Sequence, residues 1–336
     1  MSSHNALPGG RNLDPMLLVH PLEQCPACSA RASSARPLFS LSMLGEPCHV
    51  VRCAHCGLVF KDRMPTAAGL TQMYAHDYEH FSDRSPISLA ERTSLVEKLV
   101  LCRRLLGGAR SPSEIRVLDV GCASGRFVQV ANQVGFSAEG IDPYLPEELE
   151  GATLRRCRPE DLPSRRYDVV TLLNVLEHAD EPTPLLAAVR RLVAPGGVLL
   201  ATCPYGDSLA RRVHGARWNH AALDQHLLFW TPRSLELALR RAGFAGRCEH
   251  RIAGSPFPCG RTAPGPTAIP TFTPGSPESL HTDAAPVARG AFAKVQDALW
   301  SAGRRIQALP STARVVRKLV HGTRTGDYLE FAVRGD

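Results

Sequence analysis

The chain has 336 residues, 44% of them hydrophobic, enough for one large core with a small module beside it. No run approaches the ~18 uninterrupted apolar residues that cross a bilayer, and the N-terminus lacks the charged-then-apolar pattern of a secretory leader. The eleven cysteines therefore read as those of a cytoplasmic protein rather than a disulfide framework. The net charge of +7 is local: residues 286–325 hold eight Lys/Arg against one acid, Asp297, which leaves the rest neutral.

In chain order, residues 1–19 form a loose leader, and residues 20–62 carry the pairs Cys25-Pro26-Ala27-Cys28 and Cys53-Ala54-His55-Cys56, 24 residues apart. Two C-x-x-C turns with a short hairpin between them suit tetrahedral zinc, and four thiolates leave no open position, so the metal is structural. Cys48 and His49 lie nearby at the wrong spacing and read as bystanders. Zinc ribbons also bind nucleic acid, but residues 20–60 offer Arg31, Arg36 and Arg52 against Glu23 and Glu46, a weak electrostatic footprint that argues against it.

Residues 63–114 read as a helical linker and cap. Pro65 and Thr66 open a short helix to about Tyr74, and the polar, aromatic stretch 74–81 follows as a loop or linker. Apolar residues from Leu89 to Leu106 at helical spacing then predict a helix over 87–106, ended by Gly107-Gly108. From 115 to 254 strands and helices alternate, as in a doubly wound sheet. Strands are predicted at 115–120, 137–142, 152–157, 167–173, 198–202 and 245–252, with helices at 124–134, 182–193 and 232–242. Residues 255–286 are proline-rich, residues 287–325 are basic with helical periodicity, and residues 326–336 alternate like a last strand. The basic segment could rest on an anionic membrane surface or a phosphorylated carrier, or cover the sheet with its charges in solvent.

The chemistry centres on Val117-Leu118-Asp119-Val120-Gly121-Cys122-Ala123-Ser124-Gly125. A β-branched run ends on an acid, and a glycine turn opens a helix, as where an α/β sheet meets a nucleotide-like ligand. Asp142 ends the next strand 23 residues after Asp119, the distance at which an acid reaches a ribose diol. The G-x-x-x-G spacing behind an acid differs from the G-x-G-x-x-G of pyrophosphate sites. An acid there repels phosphate and suits a zwitterionic ligand such as a sulfonium amino acid.

These residues resemble those of the class I S-adenosylmethionine-dependent methyltransferases. The likeness covers about 87–252 and the last strand. Besides Val117–Gly125 it rests on Gly140-Ile141-Asp142, Glu160-Asp161-Leu162-Pro163, Tyr167–His178, Leu192–Leu200 and Ala242-Gly243-Phe244. The cysteine pairs are similar to those of zinc-ribbon methyltransferases of sugar and glycan chemistry, and V-L-E-H at 175–178 also resembles quinone-biosynthesis O-methyltransferases. The resemblance implies an α/β, Rossmann-like, mostly parallel seven-stranded sheet with an antiparallel last strand. It implies S-adenosylmethionine held by Asp119, Gly121, Cys122, Gly125, Asp142 and Asn174, with Arg158–Asp161 beside the adenine. At that last place the chain departs from the pattern: Arg158 stands where an acid is usual and Pro159 has no N–H, which leaves Glu160 and Asp161 as the candidates.

Transfer to an oxygen or carbon needs a proton removed, and histidine suits that near neutral pH. The candidates are His226 and His178, with His220 behind them and Glu177 as an orienting acid. The expected acceptor is a small molecule, a sugar or a carrier-linked precursor. The competing readings are a quinone-type phenol as acceptor, a non-catalytic S-adenosylmethionine-binding protein, and a nicotinamide oxidoreductase.

Overall fold

The computed structural model describes residues 18–75, 85–164, 167–253 and 327–335. The leader up to residue 17, the aromatic stretch 76–81, the proline-rich 255–286 and the basic 287–325 lie outside the described residues.

The N-terminal part contains β1 (Val19–Pro21), β2 (Arg36–Met43), β3 (Glu46–Arg52), β4 (Val59–Lys61) and β5 (Arg63–Pro65). β1 pairs with β5, while β2, β3 and β4 form an antiparallel meander, so the expected hairpin between the cysteine pairs is present. Helices α1 (Ala67–Ala75) and α2 (Leu89–Leu105) follow. α2 starts where Ser88 accepts the Glu91 amide at 3.2 Å, a side-chain cap for one of the open N–H groups of the first turn.

The main unit runs β6 (Arg116–Val120), α3 (Arg126–Gln133), β7 (Ser137–Ile141), β8 (Leu154–Arg155), β9 (Tyr167–Leu173), α4 (Pro182–Leu192) and β10 (Val193–Pro204). Short helices α5 (Leu209–His214) and α6 (Asn219–Ala222), strand β11 (Leu228–Phe229), α7 (Pro232–Arg241), β12 (Cys248–Ala253) and β13 (Tyr328–Arg334) complete it. Seven strands lie in the order β12-β13-β10-β9-β6-β7-β8, and only β13 runs against its neighbours. The fold is the Rossmann-like doubly wound sheet with an antiparallel last strand. β9 is covered on both faces, which is why Tyr167–Leu173 reads as a nearly unbroken apolar run. α3 lays Phe127, Val128, Val130 and Ala131 against the sheet. α7 begins with Thr231 and Ser234 capping one another's amides.

The strand expected at 152–157 is only Leu154–Arg155, and two further boundaries differ from the periodicity for a local reason. The turn Ala194-Pro195-Gly196-Gly197 does not precede its strand. It interrupts β10, which begins at Val193 and shifts register before Val198, so the glycines serve a bulge. The strand expected from 245 starts at Cys248, because Gly246 abuts the Arg334 carbonyl of β13 and belongs to the turn before it.

Chain order places the site. From β6 the chain winds outward through β7 and β8, then crosses back to β9 on the other side of β6. The carboxyl ends of β6 and β9 form the switch point where such sheets bind ligands. The cysteine-bearing module is also not separate from this unit. β4 is buried throughout, and β11 pairs with it, Leu228 opposite Phe60 and Phe229 opposite Val59. That strand caps an otherwise open sheet edge. One apolar cluster then runs from Cys56, Leu58 and Phe60 through Leu228 and Trp230 to Leu118 and Leu172.

Candidate active site

The glycine turn leaves β6 at Gly121, whose φ of +74° is left-handed, and meets α3 at Gly125, φ +77°. At Gly121 a Cβ would stand 2.5 Å from Val175 Cγ2, so the turn lies directly on the segment after β9. Both carboxylates flanking the turn are buried. Asp119 accepts the Thr171 hydroxyl at 2.6 Å, which ties β6 to β9. Burial pushes its carboxyl up to about 7, partly offset by the Thr171 hydrogen bond, with the Asp142 charge adding to the rise. Asp142 accepts the Ala123 amide at 3.1 Å and the Tyr144 amide at 2.9 Å, so it anchors the turn to the end of β7. Burial raises its carboxyl as well, against those two amides. Cys122 points inward, and its side chain fills the space that a Cβ on Gly140 would need; only its backbone is left to face a ligand.

Asn174 adopts a left-handed φ of 57° just past β9. Its amide donates to the Thr202 carbonyl at 2.9 Å and its side-chain oxygen accepts the Thr202 hydroxyl at 3.0 Å, which fixes it at the switch point. In the 158–161 turn, Asp161 accepts the Arg158 amide at 2.9 Å and is committed to capping. Glu160 is exposed. This cradle fits S-adenosylmethionine: close-approach glycines, and buried acids suited to an ammonium group and a diol.

Beyond Asn174 lies the second half of the site. Glu177 and His226 are buried, with His178 partly exposed beside them, and one ligand atom from each lies within 4.8 Å of the others. The rings of His178 and His226 meet edge to face at 4.9 Å, and His220 stacks on His226 at 5.5 Å with 16° between planes. All three expected catalytic residues and the reserve histidine therefore converge. Burial pushes the Glu177 carboxyl up to about 8. The His226 imidazole is held well below its ordinary value by burial and then by the neighbouring His178, His220 and Lys61. Burial alone lowers His220 to about 4. In the free protein His226 is thus neutral at pH 7, the form that accepts a proton.

The sequence reading missed what holds these histidines. Lys61 of β4 is fully buried, and its ammonium donates to the carbonyls of Leu223 at 2.7 Å and Asp224 at 3.3 Å. Its own amide donates to the Leu227 carbonyl, Leu44 donates its amide to the Asp224 carboxylate at 3.1 Å, and the Glu177 carbonyl accepts the amides of Leu227 and Leu228. Residues 223–228 are gripped on one side by the cysteine-bearing module and on the other by the segment after β9. A lysine at the end of Leu58-Val59-Phe60 was the available signal, though a lysine closing a strand is ordinarily solvated.

The four thiols of that module also converge. Cys25 and Cys56 sulfurs are 3.6 Å apart, as are those of Cys28 and Cys53, and all four lie within 4.8 Å of one another. Sulfurs around a tetrahedral zinc at about 2.3 Å stand about 3.8 Å apart, so the set fits that metal. The two turns match each other: Ser29 and Gly57, both with left-handed φ, return their amides to the carbonyls of Cys25 and Cys53. The hydrogen bond with Cys25 holds the Cys56 thiol down to about 5, and burial opposes it. Cys48 is a buried packing residue and His49 bonds Asp62, so both stand aside as expected. A cavity of about 400 Å³ borders this cluster rather than the glycine turn, and Arg52, one of its walls, is paired with Asp207.

Residues 91–249 match the family model described as a methyltransferase domain. The ubiquinone biosynthesis O-methyltransferase of Cereibacter sphaeroides is 31% identical over 147 residues, 38% of this chain and 60% of that protein. Its counterpart from Methylococcus capsulatus is 32% identical over 99 residues, 25% of this chain and 41% of the relative. The chain thus spans three-fifths or less of the length of these two relatives. A solved S-adenosylmethionine-dependent methyltransferase from Archaeoglobus fulgidus aligns with 78% of this chain and 99% of its own at 16% identity, TM-score 0.43.

Proposed function

We propose, from the premise that residues 91–249 form a methyltransferase domain of the S-adenosylmethionine-dependent class, that the chain methylates an oxygen or carbon of a small metabolite. The observation that carries this reading is the placement of the Glu177–His178–His226 cluster just past the carboxyl end of β9, the parallel neighbour of the strand that feeds the glycine turn. When bound, S-adenosylmethionine supplies an electrophilic methyl group. Asp119 and Asp142 hold the cofactor's polar ends, and Gly121 and Gly125 let the backbone approach it. Asn174, clamped by Thr202, borders the place where the two ligands meet. Neutral His226 takes the acceptor's proton, with the rings of His178 and His220 packed against it and the Glu177 carboxyl within 4.8 Å. Alignment contributes most, up to about 7–11 kcal/mol in favourable cases, and a positioned base adds about 10²–10⁴ in rate.

Cys25, Cys28, Cys53 and Cys56 hold a structural zinc ion, whose binding supplies folding free energy of order 10 kcal/mol. This thiol set supports a sugar or glycan precursor as acceptor, since it is the feature similar to sugar-type zinc-ribbon enzymes. The named relatives support a second acceptor class, a phenol of the quinone-precursor type. The test is release of S-adenosylhomocysteine with panels of nucleotide-linked sugars and of quinone-precursor phenols. Turnover with a sugar is expected. Turnover confined to phenols selects the second class, and tight cofactor binding without turnover on either panel leaves a non-catalytic binder.

A further inference from the structure

The cavity of about 400 Å³ beside the four thiols plays no part in the reading above, yet its volume suits a small organic ligand. Its wall joins β2, β3 and the second C-x-x-C turn to Tyr205 and Asp207 after β10 and to the start of α7. Three arginines from three elements line it: Arg36 of β2, Arg52 of β3 and Arg233 of α7. We infer that this cavity binds a phosphate or pyrophosphate group through Arg36, Arg52 and Arg233. A guanidinium suits that task, because its planar fork meets two phosphate oxygens at once.

The charges are arranged for an anion. Arg36 and Arg52 stand opposite one another across β2 and β3, and like charges so placed repel. Arg233 is the second residue of α7, whose first turn holds no acid. A cation there opposes the positive end of the helix dipole, and an anion between it and the β2–β3 pair relieves both. Among the described residues the wall holds one carboxylate, Asp207, and it is already taken: Arg52 donates to both of its oxygens, and Arg211 lies 3.7 Å away. Arg36 and Arg233 have no hydrogen-bond or ion-pair partner among the described residues. Cys53 and Cys56 also border the cavity, but both are buried and their sulfurs turn toward the other two thiols, where bound zinc cancels half of the thiolate charge.

The cavity adjoins the other half of the site. Tyr205 in its wall bridges to Trp230, and the Trp230 ring nitrogen donates to the Leu176 carbonyl at 3.1 Å, one residue before Glu177. Resting on the acceptor placement proposed above, a phosphate held here belongs to a phosphorylated acceptor or is a free anion beside it, and turnover separates the two.

The test is calorimetric titration of the full, zinc-loaded chain with pyrophosphate at low salt, with zinc content measured before and after. One pyrophosphate per chain at sub-millimolar affinity is expected, weakening as salt rises. Arg36→Gln and Arg233→Gln should each weaken it about tenfold or more, as loss of a charge-assisted contact implies. Arg240→Gln removes the same charge from the far end of α7 and should leave the affinity within twofold. Thermal unfolding shows that each variant is folded. No pyrophosphate binding, unchanged affinity in both cavity variants, an equal loss in Arg240→Gln, or heat that comes with loss of zinc would overturn the proposal. S-adenosylhomocysteine calorimetry tests the methyltransferase reading separately, so either can fail alone. In the acceptor panels, faster turnover of a phosphorylated compound than of its dephosphorylated form, lost in Arg36→Gln, assigns the phosphate to the acceptor; equal turnover assigns it to a free anion.

Discussion

The two halves of the site are built in opposite ways. The cofactor end comes from one continuous strand–turn–helix–strand, where Asp119, Gly121, Gly125 and Asp142 sit within a single β6–β7 unit. The end where we propose the acceptor binds joins Glu177 and His178 after β9 to His226 before β11, and it is held from outside by Lys61 and Leu44 of the cysteine-bearing module. The cysteine-bearing module thus grips the histidine loop of this chain through Lys61 and Leu44. Damage to the module should therefore reach turnover before it reaches cofactor affinity.

The largest expected effect is on the chemistry. His226→Ala should lower kcat by about 10²–10⁴ with S-adenosylhomocysteine affinity within twofold, read by single-turnover kinetics beside calorimetry. An equal loss in both would show that the two halves are not separable. Next comes Gly121→Val. Its Cβ would collide with Val175 at a left-handed φ, and strain of about 1–3 kcal/mol should weaken cofactor binding about tenfold or more.

Lys61→Met tests the clamp. It leaves the Leu223 and Asp224 carbonyls without their donor inside the fold, a cost of about 1–3 kcal/mol. We expect kcat down about tenfold, the melting temperature down by a few degrees as about 1 kcal/mol implies, and unchanged cofactor affinity. Unchanged turnover would mean that the histidine loop holds itself.

The smallest effect is a pH dependence at the cofactor end. The Asp119 carboxyl lies near 7 in the folded protein against about 3.9 when unfolded. Between those values the folded state keeps a proton that the unfolded state has lost, so the free protein loses stability as pH rises through that window. A bound ammonium group favours the carboxylate, so binding releases the proton. Cofactor affinity should therefore fall as pH drops below about 7, by at most about tenfold per unit, and level off above it. A flat profile from pH 6 to 8 would show that Asp119 does not face the ammonium group.

The same contrast sets what was legible in the residues. β6, the glycine turn, β7 and β9 could be read because each depends on near neighbours: alternation, a β-branched run, glycines where φ turns positive. The C-x-x-C pairs could be read because metal geometry restricts local spacing. The mutual placement of His178 and His226, the burial of Lys61 and the pairing of β11 with β4 all join residues far apart in the chain, and no local pattern encodes them. Cys122 shows the limit from the other side. Its place in the glycine turn suggested a ligand contact, whereas packing against Gly140 uses its side chain.

The most direct measurement is calorimetric titration with S-adenosylhomocysteine of the wild type, Asp142→Ala and Lys61→Met. One ligand per wild-type chain is predicted. Affinity should fall about tenfold to 100-fold in Asp142→Ala, as loss of charged hydrogen bonds of about 1.5–3 kcal/mol implies, and hold within twofold in Lys61→Met. A wild-type chain that binds NAD but not S-adenosylhomocysteine would contradict the assignment of the glycine turn.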